Sequence, residues 1–162
     1  MSEGPHSELR RAARLAAIQA LYQMEQTGEP HITVIAQFTD HRFGGDDDID
    51  MSKVDKEFFT QIIEGVIQFQ DDIDAKIAQN LSQGWKLSRL NMTLRALLRA
   101  GTFEVLRRPD VPALVVIDQY VSLAADFFDD KEAGFVNGLL DRLARAIRAA
   151  EFGITGPQAV GE

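Results

Sequence analysis

The chain has 162 residues, of which 45% are hydrophobic, 26% charged and 8% aromatic, with no cysteine. This composition suits one compact domain with tails, and excludes a disordered chain, a disulfide scaffold, a thiolate metal site and a thiol nucleophile. No uncharged apolar run reaches the ~18 residues a bilayer span needs, and the start MSEGPHSELRR lacks a secretory apolar stretch, so a soluble cytoplasmic protein is expected.

Seventeen Lys+Arg against 25 Asp+Glu give a net charge of −8, which argues against non-specific coating of nucleic acid. The charge is unevenly placed. Between Trp85 and Arg108 six cations (Lys86, Arg89, Arg95, Arg99, Arg107, Arg108) face one anion, Glu104. Between Asp40 and Glu57 seven anions outnumber three cations. Because screening limits each charge to about 8 Å at physiological salt, a local basic site is compatible with the acidic total.

Helical periodicity runs along the chain and nothing alternates like a half-buried strand. A first helix is expected from about Ser7 to Gly28-Glu29-Pro30, and a short second segment from Ile32 to Phe43. The acidic stretch Asp46–Asp50 reads as a loop, with Ser52 as N-cap of a helix carrying Val54, Phe58, Ile62, Val66 and Phe69. A bend near Asp71-Asp72 starts a fourth helix that ends before Gly84. The fifth runs from about Asn91 to Arg107 on a stripe of Leu90, Leu94, Leu97, Leu98, Gly101 and Val105. The sixth starts near Pro112 and runs to about Phe127, and the seventh starts near Asp130. The fold class is all-α, a bundle of about seven helices over residues 7–152. Met1–His6 and Gly153–Glu162 read as disordered tails. Gly65, Gly101 and Gly138 fall inside helices, where each costs about 1 kcal/mol relative to alanine, and close approach of two helix axes is the expected compensation.

On the first helix, Arg11 falls in the angular sector of Leu15, Ile18 and Tyr22, and Arg14 beside Ile18 and Leu21. Unpaired buried arginines are costly, so the first two turns are expected to overhang the helical body or to meet anions. Arg10, Arg11 and Arg14 then offer bidentate donors to phosphates, or form a solvated helix start paired with Glu3 or Glu8. Arg95 and Arg99, four residues apart, extend a basic surface or line a solvated face.

Asp46, Asp48, Asp50 and Glu57 fall at the first, third, fifth and twelfth places of an EF-hand-like count. Met51 and Lys53 stand where that loop needs glycine and an apolar residue, so calcium is not expected. His6, His31 and His41 have no ligand-like spacing, and no hydrolase elbow, phosphate loop or dinucleotide fingerprint occurs. No catalytic residue, cofactor or metal is expected.

Two stretches, ARLAAIQALYQMEQTG (Ala13 to Gly28) and RALLRAGTFEVLRRPDVPALVVIDQYVSLAADFF followed by GFVNGLLDRLAR, resemble the NusB family of transcription antitermination factors over roughly residues 7–150. The resemblance implies an all-helical fold of two packed helical subdomains, with no catalysis. It also implies binding of boxA RNA from ribosomal RNA operons with NusE, a small-subunit ribosomal protein, and joining of NusA and NusG on RNA polymerase. Arg10, Arg11 and Arg14 match the family's arginine-rich RNA-binding motif, and Arg95 matches a basic position near its RNA path. Tyr22 and Phe135 match positions of the NusE-facing surface. Lys131 stands where some relatives carry an acidic partner contact, and Leu94 replaces an acidic residue near the expected RNA–NusE surface. Asn137 and Gly138 read as structural. Some relatives form a homodimer through the RNA-binding surface. Two other readings stay open. One is a protein-only helical adaptor. The other is a NusB-like domain related to ribosomal RNA methyltransferases, which needs a cofactor-binding domain absent up to Glu162.

Overall fold

The computed structural model describes residues 5–42 and 54–154, and every regular element among them is helical. The Asp46–Asp50 loop with most of the EF-hand-like spacing, and Ser52 itself, lie outside the described residues, but the helix that Ser52 was expected to cap starts only at Lys56, with Asp55 as its cap. The chain divides into two compact units, Met1–Gln68 and Phe69–Glu162.

The first unit contains α1 (Pro5–Thr27), α2 (His31–Gln37), which continues as a π-helical turn over Phe38–Arg42, and α3 (Lys56–Gln68). The first helix begins two residues inside the expected tail, with proline in the opening turn, where its missing N–H has no intrahelical partner to lose. Its inward face is Ala13, Ala16, Ala17, Ile18, Ala20 and Leu21. These mostly small side chains let α3 come close enough to bury Phe58, Phe59, Ile62, Ile63 and Val66. Phe38 stacks on Phe59 with ring centroids 5.5 Å apart.

Gly28 adopts φ 77°, a left-handed conformation suited to a helix end. Beyond it, the Glu29 carboxylate accepts from the Gln23 amide (2.9 Å), the Gln37 amide (3.1 Å) and the Thr27 hydroxyl (3.0 Å). These bonds tie the end of α1 to α2. They hold the Glu29 carboxyl below the usual glutamate range, the Gln23 bond contributing most.

The second unit holds α4 (Gln70–Gln79), a 3-10 turn over Leu87–Arg89, α5 (Met92–Arg107), α6 (Ala113–Phe127), α7 (Asp130–Ile147) and a 3-10 turn over Ala149–Phe152 that precedes the expected tail. The Asn91 side chain caps α5 by accepting from Thr93 N (2.8 Å) and Leu94 N (3.3 Å). The fifth helix packs against α4, α6 and α7 and is the core of this unit, with Leu94, Leu97, Leu98 and Val105 buried as its stripe requires. A Cβ on Gly101 would stand 3.3 Å from both Leu140 Cδ1 and Tyr120 Cγ, which is the close approach that glycine permits. Gly138 departs from that expectation. A Cβ there meets only the Arg142 guanidinium of its own helix, at 3.3 Å, so no second helix explains it.

The corner between α5 and α6 is closed by Arg148. Its guanidinium donates to four backbone carbonyls, Glu104 (2.7 Å), Val105 (3.0 Å), Arg108 (2.8 Å) and Val111 (2.5 Å). The last carbonyls of a helix lack intrahelical partners and carry partial negative charge, so a fork of donors suits them. Glu151 pairs with Arg148 at 3.1 Å and accepts from Ala113 N at 2.8 Å, which caps α6 where Pro112 cannot.

Candidate nucleic-acid interface

In the first unit the arginines of α1 meet the start of α3. Asp55 sets this junction. Its side chain accepts from Phe58 N at 2.9 Å, so Asp55 caps the helix. Its own N–H donates to Leu9 O at 3.2 Å, and its second carboxylate oxygen lies 4.0 Å from Arg10 Nε. Of the two expected alternatives, the overhang is not observed, because the second turn of α1 is pinned to the start of α3, whereas the anion is, as Asp55 beside Arg10.

Both Arg10 and Arg14 lie over the Phe58 ring, with guanidinium carbons 4.7 Å and 5.1 Å from its centroid. A ring face attracts a cation, which offsets part of the cost of taking it from water. Their exposures differ sharply. The Arg10 side chain is 25% exposed and Arg11 is half-buried, whereas Arg14 is fully buried. Arg10 and Arg11 present charge at the surface, while Arg14 supports the junction from inside and has no surface to offer a phosphate. Angular spacing placed Arg14 correctly beside Ile18, but the ring that receives it lies 44 residues further along the chain. An aspartate three residues before Phe58 was the signal for that junction.

In the second unit Arg95 is buried, 8% exposed, and its Nη1 donates to the carbonyls of Leu90 (2.7 Å), Ser88 (3.1 Å) and Leu87 (3.4 Å). Arg99 makes a bidentate pair with Asp74 at 2.8 and 3.1 Å. The solvated face expected for these two arginines is thus replaced by internal bonding, and Arg95 positions a loop instead of presenting charge. Arg107 lies 3.8 Å over the Phe69 ring, and Arg108 pairs with Asp110 through two 2.9 Å bonds. Of the six cations between Trp85 and Arg108, Lys86, Arg89 and Arg107 are exposed.

The positions expected to face a protein partner are distributed over both units. Tyr22 is half-buried on α1; Lys131 is exposed and Phe135 half-buried on α7. Phe135 is therefore not a core residue. Leu94 is 7% exposed and belongs to the α5 stripe, so its side chain serves packing. Asn137 is exposed, contrary to the structural role expected of it.

No described helix is long and apolar enough to cross a membrane. The NusB family model matches residues 11–145, which include Arg11, Arg14, Tyr22, Arg95, Lys131 and Phe135 and start one residue after Arg10. The chain is 46% identical over 143 residues to the transcription antitermination protein NusB of Sphingopyxis alaskensis, covering 88% of this chain and 96% of that protein. It is 47% identical over 146 residues to its counterpart in Caulobacter vibrioides, covering 90% and 98%. Among solved structures, T. maritima NusB superposes with a TM-score of 0.72 at 29% identity, covering 95% of this chain and 100% of that one. The fold also matches a chain from a complex of antitermination factors NusB and NusE with double-stranded RNA, with a TM-score of 0.71 at 24% identity, covering 85% and 97%. The chain belongs to the NusB family of transcription antitermination proteins, as a non-catalytic member.

Proposed function

We propose that this chain binds boxA RNA of ribosomal RNA operons together with NusE, and so helps RNA polymerase to read through terminators. The observation that carries this reading is the junction at Phe58, which holds Arg10 at the surface of α1, next to the half-buried Arg11, within an otherwise acidic protein. Held guanidiniums lose less freedom on binding and can grip phosphates bidentately. Phosphate contacts position the strand, and base edges and stacking supply its recognition.

Arg10 and Arg11 are the phosphate ligands in this reading. Arg14 acts through Phe58, and Arg95 acts through the loop it holds. Tyr22, Lys131 and Phe135 form the NusE-facing positions, with Phe135 as a half-buried aromatic anchor of the kind that dominates interface energies. The net charge of −8 makes RNA binding weak for the chain alone and tighter once the partner adds its cations. NusA, NusG and RNA polymerase complete the assembly, in the cytoplasm.

The deciding experiment titrates labelled boxA RNA and a scrambled control against the chain, with and without NusE, at several salt concentrations. Selective binding that strengthens with NusE and drops on Arg10→Glu/Arg11→Glu is expected. Equal or absent binding to both RNAs with NusE present would sink the reading and leave a protein-only adaptor. Phe135→Ala should weaken NusE capture without altering helix content.

A further inference from the structure

The loop between α4 and α5 carries Trp85, which is 57% exposed and is the sole tryptophan of the chain. An isolated exposed apolar residue is ordinary, as Ile32 and Leu114 show at 72% and 66%. The setting of Trp85 is different in two respects.

The loop backbone is held at both ends by buried or anchored groups. At its start Arg142 Nη2 donates to Asn80 O at 2.8 Å, and Asn80 Nδ2 donates to Lys76 O at 2.9 Å. Gly84 takes φ 89°, and Trp85 N closes a turn onto Ser82 O at 3.0 Å. At its end the buried Arg95 collects the carbonyls of Leu87, Ser88 and Leu90. The indole is thus displayed from a fixed backbone and does not sit on a freely moving tether.

The second respect is charge. No acidic residue occurs between Asp74 and Glu104, and within this stretch Asp74 is taken by Arg99 and Glu104 by the Tyr120 hydroxyl at 2.5 Å. The exposed cations Lys86 and Arg89 follow the tryptophan closely on the same connection. A flat aromatic face with cations close by in the chain, on a hydrogen-bonded loop, is the combination that stacks an unpaired base while gripping its phosphates. The geometry points to the Trp85 loop as a stacking site for one base of single-stranded RNA, with Lys86 and Arg89 on the adjoining phosphates. This inference rests on the RNA-binding reading above and adds a site in the second unit to it.

The sole tryptophan makes the test direct. Single-stranded boxA RNA carrying a red-emitting label is titrated into the full chain, alone at low salt and with NusE. Label anisotropy and tryptophan emission are followed together, and Trp85→Phe supplies the background from NusE. Binding should quench Trp85 in step with the anisotropy. Trp85→Ala should lower affinity about tenfold or more and Trp85→Phe much less, because phenylalanine keeps a stacking face. Lys86→Ala and Arg89→Ala should each reduce the salt slope by about 0.7, the single-strand value per phosphate, whereas Trp85→Ala should leave the slope unchanged. Circular dichroism of Trp85→Ala should match the parent, since so exposed a ring contributes little to packing, and Leu114→Ala should bind RNA as the parent does.

Anisotropy that rises while Trp85 emission stays constant, or parental affinity in Trp85→Ala, overturns the stacking site and leaves the function intact. Quenching by NusE without RNA, with Trp85→Ala impaired only in NusE capture, overturns it in favour of a protein contact. Absence of any selective RNA binding overturns both readings together.

Discussion

Arginines of the two units meet opposite fates. On α1, Arg10 rests on an aromatic face with a carboxylate 4.0 Å away and keeps a quarter of its side chain in solvent. In the second unit Arg95 and Arg148 are each 8% exposed and spend their donors on backbone carbonyls within 3.4 Å. Stacking holds a guanidinium by its plane, while carbonyl bonding holds it by its edge, and the edge is what a phosphate needs. The same residue type is therefore stacked on a ring in one unit and closes chain turns in the other. Arg14, on the same ring as Arg10 but fully buried, marks the boundary between these uses.

Removing the edge-bonded arginines should cost stability first. Arg148→Ala leaves the carbonyls of Glu104, Val105, Arg108 and Val111 without their donor, and is expected to destabilise the chain by roughly 3 kcal/mol in urea unfolding. Arg148→Lys should recover only part of this, because one ammonium cannot reach four divergent carbonyls. Retention of full stability by Arg148→Ala would contradict the role of the corner. The surface pair should behave in the reverse sense. Arg10→Glu/Arg11→Glu is expected to weaken RNA binding by roughly 1.5–2 kcal/mol, about 10- to 30-fold, with less than about 1 kcal/mol lost in unfolding. A larger loss of stability than of affinity would erase the distinction between the two arginine types.

How much of this was legible depended on whether the partner was local. The apolar stripe of α5, the Asn91 start and the close approach at Gly101 followed from spacing within one helix, and they stand in the structure. The angular position of Arg14 was also correct, yet its burial cost argued for an overhang or an anion and not for a ring, because Phe58 belongs to a distant part of the chain. Arg148 drew no notice, since its four acceptors are main-chain atoms around a turn that no side-chain pattern marks. Arg95 and Arg99 read as a solvated face or a basic surface for the same reason, as neither the Leu90 carbonyl nor Asp74 is visible in a helical projection of α5. Exposure of Trp85 was equally hidden, because it depends on what the loop fails to pack against.

A carboxylate held by a guanidinium and one held by neutral amides offer the finest separation. The Arg99–Asp74 pair is bidentate and 16% and 27% exposed, so a double-mutant cycle through Arg99→Ala and Asp74→Ala should give a coupling of about 1 kcal/mol that falls only modestly with salt. Glu29 in the first unit is held instead by the Gln23, Thr27 and Gln37 side chains, which favour its ionised form and lower its pKa. A lowered carboxyl pKa contributes stability that is present at neutral pH and is lost as pH falls through the folded-state value. Glu29→Gln should therefore be slightly less stable than the parent at pH 7, and the two unfolding midpoints should converge as the pH is lowered through the folded-state value. A difference that stayed constant across that range would show that the amide network does not discriminate the carboxylate from its neutral isostere. The end of α1 would then be joined to α2 by hydrogen bonds alone, with no help from charge.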